Sequence, residues 1–541
     1  MTGESSRAKD SARELKVRKK VPASSEAPRI TTDLLRVQAA ARPETTAIRV
    51  DGGAELSFSE LERRSNRLGR GLAALGIEAG DRIACYATNE DACDFMVAHF
   101  AIHKAGAVAV PLNTRMAHNE LSQVATDTNS KLVLVSAGLA RSPSLRILEA
   151  STPLGVAVAT GRVREAGGWP QLENGDTVPF QVEIGGDSLA DILPTSGTTG
   201  RPKYVGTTHS DIMTLTRSPL PFGGEVYLHA IPLFTFTGAQ AMTFLPLASG
   251  MTQLVQAPFD PERFLELIGE ATATFLVPAM AVLMAKHEAF ANLKAPKLHL
   301  VFLGTAPTPP WAIRAWAEKV PSATLVNLYG LTEGGGAVCA IAGSELLEHP
   351  TAAGRPVPPA ECKVVDDLGN ECAPGEMGEI LLRQPGVRRS YVGETEDGAG
   401  TFDTEGWVHT GDLGTWDPSG LLYVVDRKKD LIIRGGFNIA SAEVENANLE
   451  HPSVLEAAVV GVPHEVLGED VVAFIVRRPG AMVSESELRE HLLGLLADYK
   501  VPRRILFVSS LARNPTGRVL KSVLREEALG RSEVEPSKAH D

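Results

Sequence analysis

The sequence predicts an α/β fold: a large multi-lobed N-terminal α/β domain followed by a smaller, mobile α+β C-terminal domain. Three observations predict it. The chain has 541 residues, more than one core accommodates. Strand-like apolar runs alternate with helical patterns in the first part, and a second group of strand patterns lies near the C-terminus. We therefore expect a disordered polar tail at 1–27, a large domain at 28–428, a small domain at 429–530 and a tail at 531–541.

Composition excludes several classes of protein. Hydrophobic residues make up 43% and charged residues 22%, which argues against disordered, collagen-like and membrane proteins. The polar N-terminal residues lack the apolar segment of a signal peptide. The net charge of −13 disfavours a nucleic-acid partner. The five cysteines form no CxxC pair, which argues against a zinc site and a disulfide framework. We expect a cytoplasmic protein without a nucleic-acid or membrane partner.

Local patterns predict the order of elements. The capping-box spacing of Ser59 and Glu62 predicts that a helix starts at Ser59. The apolar runs RIACYA, AVAVPL and KLVLVSA alternate with helical patterns, as βαβ units require. Near the C-terminus, VLEAAVVGV, VVAFIVRR and RILFVSS predict strands, and Ser484 with Glu487 predicts a capped helix. The turn-rich stretch TGDLGTWDPSGLLYVVDRKKD predicts hairpins and a hinge near Lys429.

A Gly/Thr-rich loop, TSGTTGRPK, directly follows the strand-like run LADIL. Glycines let several backbone N–H groups approach one anion, hydroxyls add donors, and a lysine adds positive charge. The loop therefore predicts a polyphosphate site and lacks the Walker A spacing of P-loop enzymes. The alternative is a flexible polar linker. The residues concerned are Thr195, Ser196, Gly197, Thr198, Thr199, Gly200 and Lys203.

Six motifs in a fixed order show a family resemblance. They are TSGTTGRPK, LGTAP (303–307), YGLTEGG (329–335), HTGDLG (409–414), DRKKDLIIRGGFNI (426–439) and NPTGR (514–518). The chain resembles the adenylate-forming superfamily of acyl-CoA synthetases, peptide-synthetase adenylation domains and luciferases over nearly everything after the N-terminal tail. The resemblance implies an AMP-forming acyl-CoA synthetase that uses ATP, Mg²⁺ and coenzyme A. A carboxylic acid, or its acyl-AMP, would be the substrate.

The resemblance also implies residue roles. A carboxylate and a hydroxyl are suitable hard-oxygen groups for Mg²⁺ and its phosphates. Read without the motif, Asp412 is a turn residue and Arg427 a solvated charge. The implied roles are adenine framing by Gly304, Thr305, Ala306 and Tyr329, α-phosphate binding by Thr332, Mg²⁺ binding by Glu333, and ribose binding by Asp412 with Arg427 close by.

By the same resemblance, the small domain swivels between an adenylating and a thioester-forming pose. Lys429 would be the hinge residue that absorbs the backbone rotation. Gly435 and Gly436 would line the tunnel for the pantetheine thiol, where missing side chains allow close approach. An ordinary turn is the competing interpretation of each glycine.

Three positions depart from the family pattern. Thr235, in IPLFTFTG, stands where relatives carry His, or Asp in amino-acid activators, so an amino-acid substrate is disfavoured. Tyr204 replaces a glycine and would either crowd the β- and γ-phosphates or point to solvent. Arg518 replaces a catalytic lysine that enters the site only in the adenylating pose, and a planar guanidinium need not bridge the same groups. We therefore expect an intact thioester-forming half-reaction and an impaired adenylating one.

The acid itself is not determined by these motifs. Phe234, Thr235, Gly334 and Gly335 would line the acyl pocket. The small residues beside the active site, Gly334, Gly335, Gly336 and Ala337, suggest room for a bulky apolar group, although glycine could instead serve the turn. Two alternatives stay open: a ligase that loads a separate carrier protein, and a non-catalytic acyl- or nucleotide-binding homologue. Ser188 in IGGDSL looks like a carrier-protein attachment serine, but it runs directly into the nucleotide loop instead of opening a helix. The oligomeric state is open, with a homodimer as one option.

Overall fold

The structure is a computed structural model that describes residues 28–159, 169–173, 175–196, 202–217, 223–393, 400–513 and 519–532. The predictions for the tail at 1–27, for the end of the tail at 533–541, for the loop residues Gly197, Thr198, Thr199 and Gly200, and for Arg518 lie outside these residues. No helix within the described ranges has both the length and the apolar character needed to cross a membrane.

Helices and strands alternate through the large domain, as the sequence predicts. The described α-helices are α1 Thr31–Ala41, α2 Phe58–Ala74, α3 Ala92–Lys104, α4 His118–Asp127, α5 Leu145–Ser151, α6 Trp169–Leu172, α7 His209–Thr216, α8 Thr243–Ser249, α9 Pro261–Ile268, α10 Pro278–Lys286, α11 Pro310–Lys319, α12 Gly343–Glu348, α13 Ser441–Leu449, α14 Glu485–Leu493 and α15 Lys521–Ser532. A π-helix, Thr237–Met242, leads into α8.

The strands follow in the same order. They are β1 Thr46–Val50, β2 Glu55–Ser57, β3 Arg82–Tyr86, β4 Val108–Pro111, β5 Ser130–Val135, β6 Val156–Val158, β7 Leu189–Ser196, β8 Pro202–Thr208, β9 Val226–His229, β10 Thr252–Val255, β11 Ala273–Leu276, β12 Leu300–Leu303, β13 Thr324–Leu331, β14 Gly336–Ala342, β15 Arg355–Pro356, β16 Glu361–Val365, β17 Gly378–Arg383, β18 Ser390–Tyr391, β19 Val408–Trp416, β20 Leu422–Arg427, β21 Ile432–Arg434, β22 Phe437–Ile439, β23 Val454–His464, β24 Gly468–Arg477 and β25 Arg504–Val508.

Two mixed sheets with parallel centres form the body of the large domain. One has the order β15-β14-β13-β12-β11-β9-β10-β1-β2, and the other β18-β8-β7-β4-β3-β5-β6. Their central strands are parallel and almost wholly buried, because helices cover both faces. The carboxyl ends of β12 and β13 therefore meet at one edge, where parallel α/β sheets place ligand-binding loops.

An antiparallel sheet, β16-β17-β19-β20, completes the large domain before a smaller unit begins. That unit has the sheet order β22-β21-β24-β23, with β25 added parallel to β24, and α13 and α14 pack against it. This is the α+β C-terminal domain. The described chain passes from one unit to the other between β20 and β21, at residues 428–431.

Local predictions largely hold. Ser484 and Glu487 form the predicted capping box of α14. The prediction that Ser59 caps α2 is wrong: Ser57 is the N-cap and accepts a hydrogen bond from the Glu60 N–H at 3.2 Å. The reason is tertiary. Ser57 pairs with Thr46 at the end of β2, so the extended strand ends there and the helix starts directly with Phe58.

Candidate active site

The β7–β8 hairpin positions the two described ends of the Gly/Thr-rich loop. Thr195 and Lys203 lie opposite each other in the antiparallel register. The Lys203 Nζ atom lies 5.0 Å from the ring centroid of Tyr391, a residue of the neighbouring strand β18. Because side chains alternate along a strand, Tyr204 faces the opposite side, where it is buried and its hydroxyl donates to Asp127 at 2.8 Å. Both orientations predicted for Tyr204 are therefore wrong.

The turn between β13 and β14 carries Thr332 and Glu333. The Glu333 Oε1 atom accepts hydrogen bonds from the Tyr391 hydroxyl at 3.2 Å and from the Thr195 hydroxyl at 3.4 Å. Burial, and then the Glu333 charge, raise the pKa of Tyr391, so its hydroxyl stays a donor. The fold thus brings Thr195, Lys203 and Glu333 together from two separate motifs. A single carboxylate among hydroxyls suits Mg²⁺, which keeps waters and phosphate oxygens as its other ligands.

Asp412 forms a second cluster with two residues that the sequence links to the nucleotide. The Tyr329 hydroxyl donates to Asp412 Oδ2 at 2.9 Å, and the Arg427 Nε atom lies 3.0 Å from Asp412 Oδ1. Burial and the Asp412 charge raise the pKa of Tyr329 well above its usual range. The carboxylate of Asp412 is therefore held in one orientation, with lone pairs left to accept further hydrogen bonds, such as those of ribose hydroxyls.

The loop after β12 contains the predicted adenine-framing residues. A Cβ atom at Gly304 would lie 3.3 Å from both the Leu328 carbonyl and the Phe275 ring, so glycine allows the loop to pack against β13. Thr305 has a left-handed φ of +75°, which is unusual for a side chain with a branched Cβ, and Thr305 and Ala306 are exposed. Such strained, exposed backbone is concentrated at ligand sites.

The glycines of the predicted acyl pocket do not leave empty space. A Cβ atom at Gly335 would lie 2.9 Å from Gln384 Oε1, and one at Gly336 would lie 2.7 Å from the Phe236 ring. Both residues have positive φ, +86° and +109°. Tight packing and backbone geometry thus account for these glycines, and the argument for extra room from small residues is not supported.

The predicted pocket residues Phe234 and Thr235 lie at the start of the π-helix. Phe234 is buried. The Thr235 hydroxyl donates to the Pro232 carbonyl at 2.8 Å and accepts from the Gly238 N–H at 3.1 Å, so it caps the π-helix. Their contact with an acyl group, like that of Gly334, stays a prediction.

Gly435 and Gly436 join β21 to β22 in a two-residue turn. Both have positive φ, +59° and +87°, the combination that favours glycine in tight hairpins. A Cβ atom at Gly436 would meet no atom within 4 Å, whereas one at Gly435 would contact Leu467 at 3.5 Å. The outer side of Gly436 is therefore open in this pose, as a thiol approach would require.

The predicted hinge residue Lys429 is exposed in the turn between β20 and β21. Just before it, Asp426 accepts hydrogen bonds from the N–H and the hydroxyl of Ser441 in the small domain. Lys521 donates to the same hydroxyl at 2.6 Å and pairs with Glu445 at 2.8 Å. Lys521 is thus engaged inside the small domain and does not take the place of the absent catalytic lysine in this pose.

Sequence reasoning missed two residues that the fold brings to this site, Tyr391 and Arg389. The Arg389 guanidinium is buried and donates to the Thr332 carbonyl. In the sequence, Arg388 and Arg389 form an arginine pair that is indistinguishable from surface charge. Their different burial is a tertiary property.

The comparisons with known proteins agree with this geometry. Residues 35–392 match the family model "AMP-binding enzyme", and residues 443–518 match "AMP-binding enzyme C-terminal domain". The chain is 34% identical to a feruloyl-CoA synthase of an Amycolatopsis species, covering 89% of this chain and 96% of that protein. It is 33% identical to the fatty acid–[acyl-carrier-protein] ligase ScoC of Streptomyces coeruleorubidus, covering 91% and 95%. ATP-bound MatB from Rhodopseudomonas palustris superposes with a TM-score of 0.83 at 30% identity, covering 92% and 98%.

These matches define the chain as an acid–thiol ligase of the AMP-forming type with a two-domain α/β architecture. The chain belongs to the adenylate-forming superfamily of AMP-binding enzymes.

Proposed function

We propose that this enzyme joins a carboxylic acid other than an amino acid to coenzyme A through an acyl-adenylate. The observation that carries the proposal is the meeting of Thr195, Lys203 and Glu333 at the end of β13, the strand that also carries Tyr329 of the Asp412 cluster. One cluster suits the polyphosphate and the other the ribose, so together they fit ATP. We also propose a cytoplasmic location. A sedimentation measurement would decide whether the enzyme is a homodimer.

In the first half-reaction, a carboxylate oxygen of the acid bonds to the α-phosphorus of ATP, and pyrophosphate leaves with the bridging oxygen. Negative charge grows on the α-phosphate in the transition state, where the Thr332 hydroxyl and the Lys203 ammonium would stabilise it. Glu333 would hold Mg²⁺, which neutralises phosphate charge when bound. Asp412 would accept hydrogen bonds from the ribose hydroxyls, and Tyr329 with Gly304 to Ala306 would enclose the adenine.

In the second half-reaction, the thiol sulfur of coenzyme A loses its proton and bonds to the acyl carbon, and AMP leaves with the carboxyl oxygen. The Gly435–Gly436 turn would approach the thiol after rotation at Lys429. The open outer side of Gly436 supports this role, because no side chain stands in the way.

The acid is proposed to be apolar, because Phe234, a buried aromatic residue, is one of the predicted pocket residues. It is proposed to carry no α-ammonium group, because Thr235 has no carboxylate and its hydroxyl already bonds to the Pro232 carbonyl and the Gly238 N–H. The two curated relatives are named for different acids and for different thiols. A carrier protein therefore stays the second candidate acceptor, and competition between coenzyme A and a phosphopantetheinylated carrier protein would separate the two.

Arg518 supports a further, finer proposal: adenylation is the weaker half-reaction. The buried position of Tyr204 removes one of the three reasons for this proposal, which now rests on Arg518 and on Thr235. If the guanidinium misses the α-phosphate, adenylation loses one positioned cation, which by analogy with one oxyanion donor costs about 100- to 1000-fold.

The test separates the two half-reactions. Ferulate and palmitate, with ATP, are scored for pyrophosphate release, and synthetic feruloyl-AMP and palmitoyl-AMP are scored for thioester formation. We expect faster conversion of at least one acyl-AMP than of its acid, and Arg518→Lys should raise only pyrophosphate release. Arg513→Lys, an exchange of the same type in a residue that pairs with Glu456, is the matched control. Brisk pyrophosphate release that falls in Arg518→Lys would refute impaired adenylation, and no thioester from any acyl-AMP would refute the ligase.

A further inference from the structure

Arg389 is a buried cation with an unusual set of partners. Its side chain donates to the carbonyl of Thr332 and, at 3.0 Å, to the Oε1 atom of Gln240. The guanidinium carbon lies 4.9 Å from the ring centroid of Phe236. None of the described carboxylates lies within ion-pairing distance of it, and burial lowers its pKa to about 10. The burial of an arginine at this depth costs free energy unless nearby negative charge or hydrogen bonds compensate for the lost solvation.

The segment that carries Arg389 makes hydrogen bonds to the Thr332–Glu333 turn at two points. Residues two apart on an extended segment face the same way. Arg389 holds the backbone carbonyl of Thr332, and Tyr391 holds the carboxylate of Glu333. Strand β18, which follows Arg389, is antiparallel to β8: Ser390 pairs with Gly206, and Tyr391 pairs with Val205. This pairing fixes the segment to β8. One segment therefore holds the turn both at its backbone and at its carboxylate.

The carboxylates of Asp211, Glu333 and Asp191 favour the positive charge of Arg389, and Asp191 belongs to a polar network behind Gln240. The Nε2 amide of Gln240 donates to Asp191 Oδ2 at 2.6 Å. The other carboxylate oxygen, Oδ1, lies 2.7 Å from His99 Nε2 and 3.0 Å from His103 Nε2. The pKa of Asp191 is depressed because these partners outweigh the desolvation that opposes its charge. Gln240 thus bridges a buried anion and a buried cation through one side-chain amide.

The hydrogen positions in this network are mutually consistent. Burial lowers the pKa of His103, so its ring is neutral, donates from Nε2 to Asp191 and accepts at Nδ1 from the Thr31 hydroxyl at 2.9 Å. The same hydroxyl accepts from Nδ1 of His209 at 2.8 Å. His99, His103 and Asp191 have metal-ligand chemistry, but both histidines already use Nε2 on the carboxylate. The network is therefore a rigid support for Gln240.

We propose that Arg389 is a positioning residue for adenylation, held by Gln240 and Asp191, which sets the place of Thr332 and Glu333 relative to ATP and Mg²⁺. The inference rests on the proposed roles of Thr332 and Glu333. A planar fork reaches the Thr332 carbonyl and the Gln240 amide together, whereas a lysine ammonium on one stem does not. A misplaced turn should slow the chemical step more than it weakens binding.

The test compares Arg389→Lys with the control Arg388→Lys. Arg388 is the neighbouring residue in the chain and is exposed. Arg389→Lys should lower kcat for pyrophosphate release about 10- to 100-fold, with a smaller change in KM for the acid. The Mg²⁺ concentration for half-maximal rate should rise, and thioester formation from supplied acyl-AMP should change much less. Gln240→Leu should give the same pattern, and the double variant should lose less than the sum of the single losses because both act on one support.

Gln240→Leu keeps the inference testable if Arg389→Lys does not fold. An unaltered Mg²⁺ requirement in the folded variant, or equal losses in both half-reactions, would overturn the positioning role. Glu333→Ala reports on the proposed function separately. An unchanged Mg²⁺ requirement in Glu333→Ala defeats the metal role of Glu333, whereas a change there without one in Arg389→Lys defeats only the role of Arg389.

Discussion

The Asp412 cluster of the large domain and the Gly435–Gly436 turn of the small domain are built in opposite ways. Asp412 is 7% exposed, and both of its carboxylate oxygens are held by residues of other strands. The glycine turn lies between Ile433 and Phe437, which are 53% and 54% exposed, and is held by main-chain features: both glycines have positive φ, and the Gly435 N–H donates to the Leu467 carbonyl at 2.7 Å. The comparison teaches that an oriented side chain such as Asp412 needs side-chain partners from other strands, whereas a glycine turn needs mainly a backbone conformation that few other residues adopt.

Among the substitutions predicted for the large domain, removal of the Glu333 carboxylate should have the largest effect on activity. Glu333→Ala should slow acid-dependent pyrophosphate release about 100- to 1000-fold, because charge stabilisation in the transition state is lost with the metal ligand. Glu348→Ala, in an exposed residue at the end of α12, is the matched control. A Mg²⁺ titration of both variants checks the cause, and an unchanged Mg²⁺ dependence in Glu333→Ala would count against it.

Replacing Asp412 by Asn should have the next largest effect. The amide keeps the shape but loses charge-assisted bonds worth about 1.5–3 kcal/mol, so KM for ATP should rise about 10- to 100-fold. The variant should also discriminate less between ATP and 2′-deoxyATP than the parent enzyme. The control is Asp367→Asn, in an exposed residue of the same charge. Retained discrimination would show that Asp412 does not bind the 2′-hydroxyl.

Substitutions of Gly436 distinguish a role in the thiol tunnel from a role in the turn alone. Gly436→Leu should reduce thioester formation from acyl-AMP at least about tenfold, because a positive φ disfavours leucine and its side chain would occupy the thiol approach. Gly436→Asn is the matched variant, since Asn tolerates this backbone conformation but still adds bulk. Loss of thioester formation in both variants, with ATP binding retained, supports the tunnel. Recovery in Gly436→Asn would assign the glycine to the turn alone.

The smallest expected effect is on the pH dependence of the free energy of unfolding. Burial lowers the pKa of His209 to about 3 from its ordinary 6.5. Between these values the unfolded chain binds a proton that the folded chain does not, so the free energy of unfolding falls as the pH drops below 6.5. This group contributes about 1.4 kcal/mol per pH unit in that window.

His209→Asn should keep the hydrogen bond to Thr31 and flatten this acid dependence. Urea unfolding at pH 5.0, 6.0 and 7.0 measures the slope. His118→Asn, the same exchange at an exposed position, is the matched control. An equal slope in His209→Asn and the parent would mean that His209 is not the group that titrates.

Much of the fold follows from local patterns. The capping box of α14 at Ser484 and the β19–β20 hairpin both lie where turn and cap residues predict them. The start of α2 does not, because two serines qualify locally and only the pairing of Ser57 with Thr46 decides between them. Tyr204 is a similar case, since strand alternation against a covered sheet sends its ring into the core.

The order of six short motifs determined the family and predicted site roles for Glu333 and Asp412, because a motif is defined by the residue types at fixed positions in the chain. The tertiary structure alone showed that Arg389 is buried and Arg388 exposed, that Tyr391 reaches Glu333, and that glycines near the acyl pocket are packed. Burial and partners depend on residues that are distant in sequence. His99, Asp191 and Gln240, for example, meet across 141 positions of chain, and no local pattern records that meeting.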